Sequence, residues 1–321
     1  LYLDNFALPG PVSGPVVIAA SGPSLSSLED LLTGLPSLLV ALPSSLTFLR
    51  SSGRRPDLLI QTDPGFWADY HLREEPAGTL PVAAPLQALP SIRRSIAPCL
   101  LLNYGEPFEE LLISSLGISS FRVPAMGTVA ATAMDLCLRL DAEPLVFAGL
   151  DLCYRDIHTH VRPHSFDPVF ASSVFRTAPL YSRKFRYSRD SAAEPGRSRP
   201  LQTYGNWFSG LDPSRYERVR RFLPSETELP FPAFDREEFA PLPKNSPALT
   251  LRFCDAPSFR ERKSSLIGIL QDLHRRLLDK STDNVTLEIT GKLSSRPGDE
   301  RNNASDELLG ILRRVEKMEE P

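Results

Sequence analysis

The stretch from Pro124 to His160 reads PAMGTVAATAMDLCLRLDAEPLVFAGLDLCYRDIHTH. Gly127-Thr128 opens a helix, and Leu145 to Ala148 follows as a short apolar strand. A helix start presents unpaired backbone N–H groups and a partial positive charge, so a phosphate or carboxylate can settle there without a blocking side chain. The strand is expected to be buried and central. Its carboxyl end delivers Gly149, Asp151 and Tyr154 to the edge where open α/β sheets bind ligands. His158, Thr159 and His160 complete the loop beyond it.

Upstream, the same alternation repeats. Val16 to Ala20 is a β-branched run followed by Ser21-Gly22-Pro23-Ser24-Leu25 and then by Leu28, Leu31 and Leu32 at helical spacing. Gly22 lets backbone approach a ligand closely, and Ser24 is placed to cap the helix. This loop lacks the Walker lysine and the full GxGxxG, so a plain strand-to-helix turn explains it as well as a phosphate cradle does. Further strands are expected at Ser37 to Leu42, Pro56 to Gln61, Leu80 to Ala84 and Cys99 to Leu102, with a helix at Ser44 to Arg50. Short strands punctuated by helices predict a mostly parallel, Rossmann-like α/β sheet with helices on both faces. Polar residues stand where strands finish: Ser21, Asp63, Asn103 and Asp151. Four at one predicted edge point to a shared pocket.

Downstream the character changes. Phe166 to Ser173 has little periodicity, and residues 176–200 gather Arg176, Arg183, Lys184, Arg186, Arg189, Arg197 and Arg199 against Asp190 and Glu194. Such a segment is either a mobile, solvated loop or a lid that carries cations to phosphates. Asp212 to Phe222 reads as a helix capped by Asp212 with Pro213 at its first position. Pro224 to Pro247 reads as an extended surface linker. Helices are expected at Ser258 to Leu278, where His274 is structural, and at Ser305 to Met318, with a strand at Val285 to Ile289. The resulting division is a nucleotide-binding domain over 1–230, a proline-rich linker over 231–248, and a smaller helical region over 249–321. The helices of that region are either core or a homo-oligomer contact.

The chain has 321 residues, an apolar content of 41% and a net charge of −3. That suffices for a real core and offers no global electrostatic case for nucleic acid. Cys99, Cys137, Cys153 and Cys254 have neither CxxC nor metal spacing, which suits a reduced, cytoplasmic protein. No run is long enough to span a membrane, and Leu1 to Gly10 is unlike a signal peptide. Because the sequence starts at Leu1 rather than at methionine, a preceding segment is allowed for.

Several motifs together resemble the motility associated factor glycosyltransferases, a family associated with flagellin glycosylation. They are Ala20-Ser21-Gly22-Pro23-Ser24-Leu25, Thr62-Asp63-Pro64, Gly127-Thr128-Val129-Ala130, Phe147-Ala148-Gly149-Leu150-Asp151-Leu152, Tyr154 and Thr159-His160. The resemblance covers about residues 5–230, and the order of elements is also similar to that of bacterial GT-A-like sialyltransferases. It implies transfer of a nonulosonic, sialic-acid-like sugar from a CMP-activated donor to serine or threonine of flagellin, with the sugar nucleotide as substrate and no further cofactor. Ser21, Gly22, Pro23 and Ser24 would lie against the nucleotide, with Asp63, Asn103, Gly127, Thr128, Gly149 and Asp151 around it. Tyr154 is the nearest equivalent of a phosphate-contacting tyrosine, one residue further along than in the sialyltransferases. Their catalytic histidine lies downstream, where this chain has none between His164 and His274, so His160 becomes the candidate base and His158 the second. Asp151 is expected to hold its loop by accepting N–H bonds. No DxD precedes Thr128, so metal-independent chemistry is expected. Two other readings stay open. One is an ATP-dependent pterin pyrophosphokinase, with Asp63 and Asp151 as its only proposable metal pair; the other is a non-catalytic flagellin-binding module that retains the nucleotide fold.

Overall fold

The structure, a computed structural model, describes residues 6–12, 14–32, 36–73, 80–89, 98–155, 157–182, 192–194, 197–222, 227–235, 237, 248–293 and 300–319. In chain order the strands are β1 (Phe6–Pro9), β2 (Gly14–Ala19), β3 (Leu38–Ala41), β4 (Leu58–Ile60), β5 (Val82–Pro85), β6 (Cys99–Asn103), β7 (Phe121–Arg122), β8 (Ala142–Ala148), β9 (Ala192–Glu194), β10 (Arg197–Ser198), β11 (Val219–Arg221) and β12 (Leu251–Cys254). The chain divides into two compact units. One comprises Pro9–Ala97 and Ala125–Leu251; the other comprises Leu1–Leu8, Pro98–Pro124 and Arg252–Pro321.

In the first unit the strand order is β11-β8-β2-β3-β4-β5, and all these neighbours run parallel. Every residue of β3, β4 and β5 is buried, as is Pro144 to Ala148 of β8. Parallel strands buried this way need cover on both faces, which explains why their sequences are apolar runs rather than alternating ones. From β2 to β5 the chain steps outward in one direction. It then returns to place β8 and β11 on the other side of β2. The order therefore reverses between β2 and β8, which is the switch point of a Rossmann-type sheet. The expected α/β class is met, and the loops after β2 and β8 flank that reversal.

The helical connections are short. Pro23–Ser27 and Pro43–Ser45 are 3-10 turns leading into Leu28–Leu32 and Leu46–Ser51, each started by a proline whose fixed φ suits a first turn. The 3-10 turn Pro213–Tyr216 and strand β11 replace the helix expected over Asp212 to Phe222. Asp212 does cap, accepting from the Ser214 N–H, but Val219 to Arg221 gain more by pairing with β8 than by continuing a turn. A short helix, Asp167–Ser172, also forms where little periodicity was read, started by Pro168. Phe147 of β8 packs against Phe208 at 6.1 Å and Phe231 at 5.9 Å between ring centroids. Phe231 is buried, so this part of the proline-rich stretch contributes to the core rather than lying on the surface. Residues 183–191, 195–196, 223–226 and 238–247, which hold much of the basic loop and the linker, lie outside the described residues.

In the second unit β6 pairs with β1 and β7 in parallel, and β12 lies beside β1. Helices Phe259–Leu278, Asn284–Leu293 and Glu300–Glu316 share a core containing Leu270, Leu273, Leu277, Ile289, Leu308 and Val315. Ser258 and Glu261 form a capping box at the start of the first helix. His274 is hydrogen-bonded through Nδ1 to Ser305 Oγ at 2.9 Å, the structural role expected of it. The strand read at Val285 to Ile289 is helical. Asp283 holds the Thr286 N–H and O–H, and Thr286, Ile289 and Thr290 fall on one buried face. An alternation this short fits either period, and the cap decides it.

Phe147 is fully buried between two rings, so Phe147→Ala should lower unfolding stability by about 3–5 kcal/mol in urea denaturation. A loss under about 1 kcal/mol would contradict this packing.

Candidate active site

The connection after β2 is held to the connection after β8 by a buried latch. Both oxygens of Asp151 are engaged by Ser24: its N–H donates to Oδ2 and its Oγ to Oδ1, each at 2.6 Å. Gly22 N–H donates to Gly149 O at 2.7 Å, and Ala20 N–H to Ala148 O at 2.8 Å. Thr227 Oγ1 donates to Asp151 O. The approach requires both glycines. A Cβ on Gly22 would lie 2.5 Å from Asp151 Oδ2 and from Gly149 O, while Gly149 adopts φ +74°, with Ala20 O and Leu25 Cβ close to where its own Cβ would be. Ser24 is therefore not the helix cap the sequence suggested; Gly22 takes the N-cap position of the 3-10 turn. Asp151 holds its loop by accepting an N–H and a hydroxyl, as expected of it. Both its oxygens accept from Ser24.

Val161 N–H donates to Ser21 O at 2.8 Å, which ties the histidine loop back to the β2 end, and Ser44 Oγ reaches Ser21 Oγ at 2.8 Å. Thr128 is the N-cap of helix Val129–Arg139, its Oγ1 accepting from Ala131 N–H at 3.0 Å. Gly127 is exposed beside the Trp207 indole, which would lie 3.6 Å from a Cβ there. Pro23 starts the 3-10 turn. Asp63 is exposed, its Oδ1 facing Gly65 N at 3.3 Å. Asn103 belongs to the other unit, at the end of β6, where its Oδ1 accepts from Gly105 N–H at 2.7 Å. Tyr154 is buried, and its enclosed hydroxyl has no hydrogen-bond partner among the described residues, an uncommon state for a buried donor.

His160 does not stand alone. Its ring stacks on His164 at 4.5 Å, and His164 meets His71 edge-on at 5.5 Å. Phe166 lies against both His71 and His164, at 4.6 and 5.3 Å. Thr159 Oγ1 lies 2.7 Å from His160 Nδ1, and Ser165 Oγ lies 2.6 Å from His71 Nδ1. Burial pushes His71 down from an ordinary imidazole to about 4; His160 adds to this, and Asp63 works against it. At neutral pH His71 is thus an uncharged imidazole. His158 sits apart, in a tight exchange of backbone bonds with Arg155 and 6.4 Å from the Tyr181 ring. His71 was not legible as a site residue: it follows Asp63 on helix Phe66–Leu72, far along the chain from His160, and only the fold brings them together.

Gly22→Ala should therefore lose about 2 kcal/mol or more of stability by splitting Ser24 from Asp151, and a melting temperature equal to that of the unmodified protein would contradict the latch. A pH effect follows from His71. The unfolded chain binds its proton near 6.5 and the folded one near 4, so the unfolded state holds more protons between these values. Stability from neutral His71 is complete above pH 6.5 and is lost as pH falls toward 4. Urea midpoints measured over this range should fall, and should fall less in His71→Phe; parallel profiles would refute the assignment.

Residues 3–156 match the family model described as "6-hydroxymethylpterin diphosphokinase MptE-like". An uncharacterized protein of Treponema pallidum (strain Nichols) is 33% identical over 167 residues, which span 52% of this chain and 36% of that protein. The chain thus covers little more than a third of that relative's length. Among solved structures, one titled "Structure of MAf glycosyltransferase from Magnetospirillum magneticum AMB-1" aligns with 98% of this chain and 57% of its own, at 13% identity and a TM-score of 0.49. The chain is therefore similar to the MptE-like family over residues 3–156.

Proposed function

We propose that this protein is a glycosyltransferase that moves a nonulosonic acid from a CMP-activated donor to a serine or threonine hydroxyl of flagellin, without a metal. The observation that carries the reading is the imidazole cluster of His71, His160 and His164 beside the carboxyl end of the sheet. In such a transfer the acceptor oxygen bonds to the anomeric carbon as the bond from that carbon to the CMP phosphate oxygen breaks. The hydroxyl proton must go to a base and the phosphate must leave as an anion. His160, linked to Thr159 Oγ1, is the base in this scheme, with His158 second. The helix start at Gly127-Thr128 and the turn Ser21 to Ser24 hold the nucleotide. The Tyr154 hydroxyl is assigned to the leaving phosphate, as a buried donor without a hydrogen-bond partner among the described residues. Asp63 and Gly149 are the remaining nucleotide-side assignments, while Asn103 belongs to the other unit.

The family match over residues 3–156 favours a second reading, an ATP-dependent pyrophosphokinase. That chemistry calls for acidic ligands around a metal. Asp151, one of the two carboxylates proposable from the sequence, is already engaged by Ser24.

Thermal-shift titration separates these readings. CMP or CTP should raise the melting temperature with or without Mg²⁺. Stabilisation by ATP that requires Mg²⁺ would support the kinase, and indifference to every nucleotide would leave a binding module. His160→Ala should abolish transfer to flagellin yet keep the CMP shift; an active variant would remove His160 as base.

A further inference from the structure

Helix Phe66–Leu72 begins directly after the Asp63 loop and is anchored inward by Ala68 and Leu72, both buried. Its first two residues do not take part in that anchoring. Phe66 is 62% exposed and Trp67 is 56% exposed, although each could bury a large apolar surface. Their rings meet edge-on at 5.3 Å, and Trp67 also meets Phe166 edge-on at 5.4 Å. Phe166 is the same ring that touches His71 and His164. The aromatic wall and the imidazole cluster are thus joined through Phe166. Arg73, at the far end of the helix, lies over the Phe66 and Tyr70 rings, with its guanidinium carbon 4.9 and 4.3 Å from their centroids. Asp69 approaches Arg73 Nε at 3.6 Å.

This mixture selects its occupant. An apolar protein surface would be matched by an apolar wall, whereas here exposed rings run into imidazoles, the hydroxyls of Ser165 and Thr159, and a guanidinium. A sugar ring has that same division: a face of C–H groups that stacks on aromatic rings, and a rim of hydroxyls that hydrogen-bond. A cation beside the rings adds a site for a carboxylate. We propose that Phe66 and Trp67 are the sugar-facing wall of the site, stacking on the C–H face of an acidic pyranose whose carboxylate pairs with Arg73. This rests on the transferase reading and extends it by naming the residues that select the transferred sugar.

Saturation-transfer NMR with free N-acetylneuraminate, run beside the CMP thermal shift, tests it. The unmodified protein should bind the sugar. Trp67→Ala and, as a second variant, Phe66→Ser should each weaken binding roughly tenfold while keeping the CMP shift, which also reports that they fold. Arg73→Gln should weaken binding of the free acid but not of its methyl ester. Sugar affinity unchanged in Trp67→Ala, or no sugar binding by a protein that still responds to CMP, would overturn the wall and leave the transferase reading standing. A protein that binds the sugar through Trp67 but ignores CMP would fail that reading and keep the wall. Capture of an apolar peptide in place of the sugar would overturn it.

Discussion

Two short hydrogen bonds between Ser24 and Asp151 hold the point on which the first unit depends. They join the ends of the two strands between which the sheet order reverses, and both partners are buried. A carboxylate out of water is tolerable only when its oxygens are satisfied, so the loop after β8 is drawn onto the turn after β2. Gly22 and Gly149 make that closeness sterically possible. The β2 end in turn anchors the histidine loop through the bond from Val161 to Ser21. A structural carboxylate, rather than a catalytic one, therefore fixes where His160 lies.

Electrostatics at the imidazole cluster point the other way from those at the latch. No strong anion offsets the burial of His71: exposed Asp63 pulls its titration upward, but burial and His160 outweigh it. Desolvation wins, and the ring stays neutral. At neutral pH His71 is therefore an uncharged ring and a weak base, so the burial that costs stability in acid leaves the base of the proposed scheme to His160. The adjoining rings of Phe166, Trp67 and Phe66 join this half-buried cluster to an exposed wall.

Much of the fold was legible because it rests on local pattern. Apolar runs such as Leu38 to Ala41 and Leu145 to Ala148 read as strands because turn residues bound them and helical stretches alternate with them, and Gly127-Thr128 reads as a helix start ahead of Val129 to Arg139. The errors came where a short segment suited two periods. Val285 to Ile289 alternates like a strand, but the Asp283 cap makes it helical, and Val219 to Arg221 pairs with β8 where a helix was read. The candidate site was legible in part. Strand-end residues such as Gly22 and Asp151 announce themselves by position, since an edge follows from strand order. His71 and the exposed Phe66 and Trp67 do not, because their proximity to His160 is made by a tertiary contact through Phe166 that no local period encodes. Ser24 carried a misleading signal: a serine ahead of a helix reads as a cap until a partner 127 positions away takes it.

The central claim is that a nucleotide sits at the carboxyl edge of the first unit, against the turn after β2 and the start of helix Val129–Arg139. Backbone hydrogen exchange, followed with and without CMP, tests it most directly. Added CMP should slow exchange at the amides of residues 21–25 and 127–130 and leave those of helix Phe259–Leu278 unchanged. Protection confined to other segments, with residues 21–25 and 127–130 exchanging as before, would contradict it.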